Sequence, residues 1–334
     1  MEKQKKYIYI GIQILRMIFA FNIVVFHCIS NSSKNIILYF ICHIGIHYYM
    51  PTFFIISFYF SYRTFCSRNI SKLKERLLRI LIPYIIWPSL FWIKYTVLSS
   101  FNTKKVTIVY KDLIYQLLIG KPILPVFWFQ FCLIIWTIIF IILIFSFKKT
   151  YNYILSFILL LLLYLNYSRI TRLIYKYFKN MFHASIYDLF HRYINILSGF
   201  FFGSKAILDR KYKFKFLFIL FSLSCFFFVK YFRNNNLDYI ANQFIINIVF
   251  ISSSFIPFDL IKKKNLINCI KHITSFTGGI YYLHWEIKFR TFNNFSLIKK
   301  ANFFSCIIIY LICYVFCFCL FRIFNNNKLK YLFI

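Results

Sequence analysis

The chain has 334 residues, 61% hydrophobic and 24% aromatic with only 15% charged, and its apolar runs of about 20 residues recur between short polar breaks, which excludes an ordinary soluble domain. Its formal charge of +33, from 41 basic against 8 acidic residues, would suit nucleic acid. The basic residues, however, gather in loops between apolar runs, where topology and anionic lipid headgroups account for them and no nucleic-acid partner is needed.

The first run, Tyr7 to Ile29, follows a basic flank of Lys3, Lys5 and Lys6 and carries Arg16 and His27. It reads as a retained helix, because no small-residue cleavage site follows it. Eleven residues separate the two ionisable groups, about 1100° of helical rotation and a rise of about 16.5 Å. Arg16, Ala20, Ile23 and His27 therefore share one face, and two ionisable groups on one face of a spanning helix belong against a protein-lined cavity.

The second run, Ile36 to Tyr62, contains Pro51, a kink site. Arg63 to Arg79 carries six basic residues and is expected as a cytoplasmic loop, with the third helix running from Ile80 to Leu98 and Pro83 in its first turn. Pro88 is expected to bend that helix. Residues 99–126 are mixed, with room for a short interfacial helix. Further apolar runs fall at 127–147, 153–167, 185–203, 216–232, 239–256, 276–292 and 303–323. The fold class expected is all-α: a polytopic membrane helix bundle of about ten transmembrane helices, undivided over residues 1–334, with both termini cytoplasmic. Loops assigned to the cytoplasmic side carry about 23 Lys and Arg against about 12 on the other side, the bias that cytoplasmic loops carry.

His27 is the leading candidate for chemistry, since imidazole accepts and returns a proton near neutral pH. Arg76 and Arg79, at i, i+3, suit a phosphate-bearing ligand by bidentate hydrogen bonding, and Glu75 beside them can form a local ion pair. Ordinary positive-inside flanking explains the same arginines equally well. Asp188 and Arg192 read as a structural ion pair within a span. Tyr281, Tyr282, His284 and Glu286 cluster after Gly278 and Gly279. Tyr282 and Glu286 share a face while His284 points about 160° from Glu286, and spacing does not decide which of them meets His27. The ten cysteines form no C-x-x-C pair, and His43 and His47, at i, i+4, have no acidic neighbour in sequence. No metal site is expected.

Jointly these residues resemble the acyltransferase-3 family of integral-membrane O-acyltransferases, which includes O-acetyltransferases of bacterial surface polysaccharides. Arg16 and His27 fit its R-x10-H first helix, Pro51-Thr-Phe-Phe-Ile-Ile-Ser57 its second-helix stretch, and Arg76-Leu-Leu-Arg79 with Ile82-Pro83-Tyr84 its R-x-x-R and proline segment. Trp128-Phe129 is similar to its Trp-aromatic start of the fourth helix, and Gly279-Ile-Tyr-Tyr-Leu-His284 to its G-I-Y-x-x-H segment. The sequence departs from the pattern at Phe58, where the family usually has Gly, and at His47 and Tyr48, where an acidic residue is common.

The resemblance implies a plasma-membrane enzyme moving an acyl group, most often acetyl, from cytoplasmic acyl-CoA to a hydroxyl of a glycan or lipid-linked sugar. His27 and Arg16 would be catalytic, Arg76 and Arg79 would hold the donor's phosphates, and Trp128, Tyr282, His284 and Glu286 would line the cavity. Acyl-CoA would be a substrate, with no permanently bound cofactor. A different class, an exporter of polysaccharide or lipid-linked sugar without acyl transfer, is the alternative that buried charges in spans also permit.

Overall fold

A computed structural model describes residues 2–28, 36–101, 110–118, 127–146, 195, 196, 198, 199, 202, 212–231, 238–253, 264–287 and 303–324. Every secondary element in it is an α-helix: α1 (Glu2–Cys28), α2 (Ile36–Cys66), α3 (Ile70–Phe101), α4 (Tyr110–Leu118), α5 (Trp128–Ser146), α6 (Tyr212–Tyr231), α7 (Asp238–Ser253), α8 (Lys264–Ser275), α9 (Thr277–Glu286) and α10 (Phe303–Phe324). By length and composition, Ile70–Lys94, Trp128–Phe145 and Phe304–Ile323 are long and apolar enough to cross a membrane, and Gly11–His27, Lys215–Phe227 and Phe244–Ser253 are shorter apolar helices. The expected span 153–167 lies outside the described residues, as do Asp188, Arg192 and most of 185–203.

The chain divides into two compact units, and the division falls inside α2, between Tyr62 and Arg63. Unit 1 holds residues 1–62, 194–325 and 333–334. Within it α1 packs against α7, α8, α9 and α10, and α6 packs against α7. That makes α1 the axis of the unit, and its buried side chains Ile12, Phe19, Ala20, Ile23, Val24 and Val25 form much of the core.

The break between α8 and α9 has a packing cause. Phe276 is fully buried, and its ring lies 5.4 Å from that of Phe321, 5.6 Å from Tyr314 and 5.1 Å from His272. Seating this ring among the aromatics of α10 takes Phe276 out of helical geometry, with φ −93° and ψ 3°. Thr277 Oγ1 then donates to the Thr274 carbonyl at 3.0 Å, giving the interrupted backbone a local acceptor–donor pair. The sequence reading took 276–292 as one run and left 264–275 as loop, because Lys264, Asn265, Asn268 and Lys271 mask the spacing of Ile267, Ile270 and Thr274, of which Ile270 and Thr274 are buried.

A second close contact joins α2 to residue 199. A side-chain carbon on Gly199 would overlap the Ile55 carbonyl oxygen and lie 2.8 Å from the Ile55 Cα. Phe58, one turn further along α2, is completely buried. Tyr59 meets Phe250 of α7 edge-on at 5.4 Å, and Phe202 stacks on the same Phe250 at 5.2 Å.

Unit 2 holds residues 63–193 and 326–332, and within it α3 packs against α4 and α5. Tyr84 Oη donates to the Leu117 carbonyl of α4 at 2.5 Å, and the Tyr84 and Phe131 rings lie 6.2 Å apart. The expected loop 63–79 and helix start at Ile80 are corrected: α2 and α3 are joined only by Ser67, Arg68 and Asn69. Asn69 is the reason. Its Oδ1 accepts from Lys72 N–H at 3.1 Å and its carbonyl from Leu73 N–H at 3.0 Å, an N-cap that starts α3 three turns early. Arg68 takes the left-handed conformation, φ 52°, that usually closes the preceding helix with glycine. Pro83 therefore lies inside α3 and not in its first turn, so the carbonyl of Arg79, four residues back, loses its helical N–H donor.

Candidate active site

The face that the sequence assigns to Arg16, Ala20, Ile23 and His27 is turned inward within unit 1: Ala20 and Ile23 are 4% and 3% exposed, and Arg16 and His27 are partly buried. The residues that meet this face come from α9. The His27 and His284 rings lie 5.1 Å apart between centres, with 31° between their planes. Arg16 and Tyr282 lie close enough to interact electrostatically. Phe26 packs edge-on against His27 at 4.9 Å, and Phe21 against Tyr310 of α10 at 5.5 Å. A guanidinium, a phenol and two imidazoles are thus gathered along one seam between α1 and α9. Such a seam can hold negative charge and handle protons.

His284 is fully buried and anchored through one nitrogen of its ring. Its Nδ1 lies 3.1 Å from the Ile280 carbonyl, one turn back on α9, and Tyr281 flanks it at 6.0 Å. Among the described side chains of the cluster Tyr281, Tyr282, His284 and Glu286, whose relation to His27 spacing left open, His284 lies against it. The side chain of Glu286 lies outside the described residues, as do those of His43 and His47.

Arg76 and Arg79 sit in unit 2, in the second and third turns of α3 and not at its opening. Sequence spacing treats them as equals, and their surroundings do not. The Arg76 guanidinium lies 5.4 Å from the centre of the Phe65 ring, a cation–π contact that covers one face of the charge. Arg79 Nη2 donates to Glu75 Oε1 at 2.5 Å, and both side chains are about half exposed. Trp128 opens α5 in the same unit, partly buried, with its ring 6.4 Å from Phe129.

A family model described as an acyltransferase domain matches residues 9–333. The chain belongs to the acyltransferase-3 family. This membership makes the protein an enzyme, a membrane acyltransferase. The match begins within α1 and runs through both units, so the seam of Arg16, His27, Tyr282 and His284 and the arginines of α3 all fall inside it. Comparison of this acyltransferase-3 protein with curated proteins and with solved structures returned no match.

Proposed function

We propose that this membrane acyltransferase moves an acyl group, acetyl first among candidates, from cytoplasmic acyl-CoA to a hydroxyl of a cell-surface polysaccharide or lipid-linked sugar at the plasma membrane. The observation that carries the proposal is the inward-turned R-x10-H face of α1, with His27 beside His284 of α9. An acyl transfer to oxygen needs a base for the acceptor proton and positive charge near the developing oxyanion, and this seam supplies both.

His27 takes the proton from the acceptor hydroxyl as its oxygen attacks the thioester carbonyl. The tetrahedral intermediate collapses, the C–S bond breaks with its electrons passing to sulfur, and the proton held by His27 goes to the thiolate. Arg16 supplies positive charge to the carbonyl region. Arg76 and Arg79 hold the donor's phosphates, Arg79 by exchanging its Glu75 partner for a phosphate oxygen.

Purified protein incubated with radiolabelled acetyl-CoA and membrane glycans should transfer label to glycan. His27→Ala should reduce transfer by roughly 10²- to 10⁴-fold, the usual range for losing a general base, while acetyl-CoA still binds. Absence of glycan labelling by the wild type, or near-normal transfer by His27→Ala, would sink this reading.

A further inference from the structure

The contact between His27 and His284 defines a role for the second histidine that the acyl-transfer reading above leaves open. His284 is fully buried, and its Nδ1 faces the Ile280 carbonyl oxygen at 3.1 Å. A carbonyl oxygen only accepts, so Nδ1 carries the hydrogen of this bond. In the neutral ring, Nε2 is then the nitrogen that accepts. The anchor is one helical turn away on the same helix, so the tautomer is set by backbone that α9 holds in place.

The spacing of the two rings suits an interaction at that nitrogen. A hydrogen bond of about 2.8–3.0 Å between two imidazole nitrogens, with roughly 1.1 Å from each nitrogen to its ring centre, places the centres about 5.1 Å apart. The observed separation is 5.1 Å, with the planes within 31° of each other.

We propose that His284 is a positioning residue for acyl transfer: its Nε2 accepts a hydrogen bond from one ring N–H of His27, leaving the other His27 nitrogen to take the acceptor's proton. This assignment rests on the acyl-transfer reading and adds to it the group that orients its base. The logic is that of a catalytic base held by a third residue, with a neutral imidazole anchored on a backbone carbonyl as the holder. As the acceptor oxygen bonds to the thioester carbon, its proton moves to His27 and the resulting imidazolium keeps its hydrogen bond to His284. The C–S electrons leave with sulfur, and His27 passes the proton to the thiolate. His284 gains and loses no proton in this cycle.

The test uses the full chain, acetyl-CoA and a membrane glycan acceptor, with kcat and KM for acetyl-CoA measured for wild type, His27→Ala, His284→Phe and His284→Gln. Phe keeps an apolar ring in the buried position but accepts no hydrogen bond, whereas Gln keeps an acceptor oxygen and loses the ring. The expected result is a loss in kcat of about 10- to 150-fold for His284→Phe, the rate equivalent of one charge-assisted hydrogen bond. KM for acetyl-CoA should be unchanged, and His284→Gln should recover several-fold of the loss. If the residue serves packing alone, His284→Phe will equal or exceed His284→Gln, and the proposal is overturned. Should His284→Phe fail to bind acetyl-CoA, the comparison passes to His284→Leu against His284→Gln, with the same ordering expected and the reverse ordering fatal. An inactive His27→Ala beside a fully active His284→Phe removes the role of His284 alone. A fully active His27→Ala removes the acyl-transfer assignment of His27 together with it.

Discussion

The ion pair between Glu75 and Arg79 gives the donor-site proposal its sharpest test, because the same guanidinium cannot serve a carboxylate and a phosphate equally well. Arg79 Nη2 and Glu75 Oε1 are 2.5 Å apart, and the two side chains are 55% and 47% exposed. An exposed i, i+4 pair of this kind contributes about 0.2–1 kcal/mol. A donor phosphate that binds Arg79 must first displace Glu75, so Glu75→Gln should remove that cost and tighten acetyl-CoA binding by about 1.4- to 5-fold. Arg79→Ala removes the phosphate contact itself and should weaken binding by about 10- to 150-fold, the equivalent of about 1.5–3 kcal/mol for a hydrogen bond to a charged group. Titration calorimetry with CoA, at low salt and again near 0.5 M, measures both effects, and both should shrink at the higher ionic strength. If Glu75→Gln leaves CoA affinity unchanged or weakens it while Arg79→Ala has no effect, Arg79 holds no phosphate and the pair serves only the surface of α3.

Other perturbations read the fold. Asn69→Ala should lower stability by about 0.5–2 kcal/mol through loss of the α3 N-cap, and Arg68→Gly should leave it unchanged or raise it by up to about 1 kcal/mol by relieving the left-handed residue; thermal melts of the two variants in detergent check both signs. Gly199→Ala should cost about 1–3 kcal/mol, because the contacting atoms at Ile55 are backbone and cannot rotate away, and a melting temperature equal to wild type would refute that contact. Ile70 is 71% exposed at the start of α3, so a cysteine placed there should react with an impermeant maleimide only from the cytoplasmic side if the N-terminus is inside. Labelling from the outer face would overturn the proposed topology.

The inward-turned face of α1 was legible in the sequence because an eleven-residue interval is close to a whole number of helical turns, and that relation needs no tertiary information. The partner of His27 was not legible. Tyr281, Tyr282, His284 and Glu286 occupy different directions around α9, and the choice among them depends on how the Phe276 ring seats α9 against α10. Likewise, the equal spacing of Arg76 and Arg79 hid their different environments, since Phe65 reaches Arg76 from the preceding helix. The early start of α3 had a readable signal in Asn69, a strong N-cap residue, which the density of basic residues around it obscured. The apolar character of the helices fixed the class of protein, while pairwise side-chain contacts required the packed structure.

The close approach at Gly199 also decides how a change there would spread. The atoms nearest a side-chain carbon at 199 are the carbonyl oxygen and Cα of Ile55, so no change of rotamer in α2 can make room, and relief comes only from a shift of backbone. Ile55 and Phe58, one turn apart on α2, are both completely buried, so such a shift would carry the packing of that whole turn with it. A single methyl group at 199 should therefore be felt along α2 as a displaced segment and not as one displaced side chain.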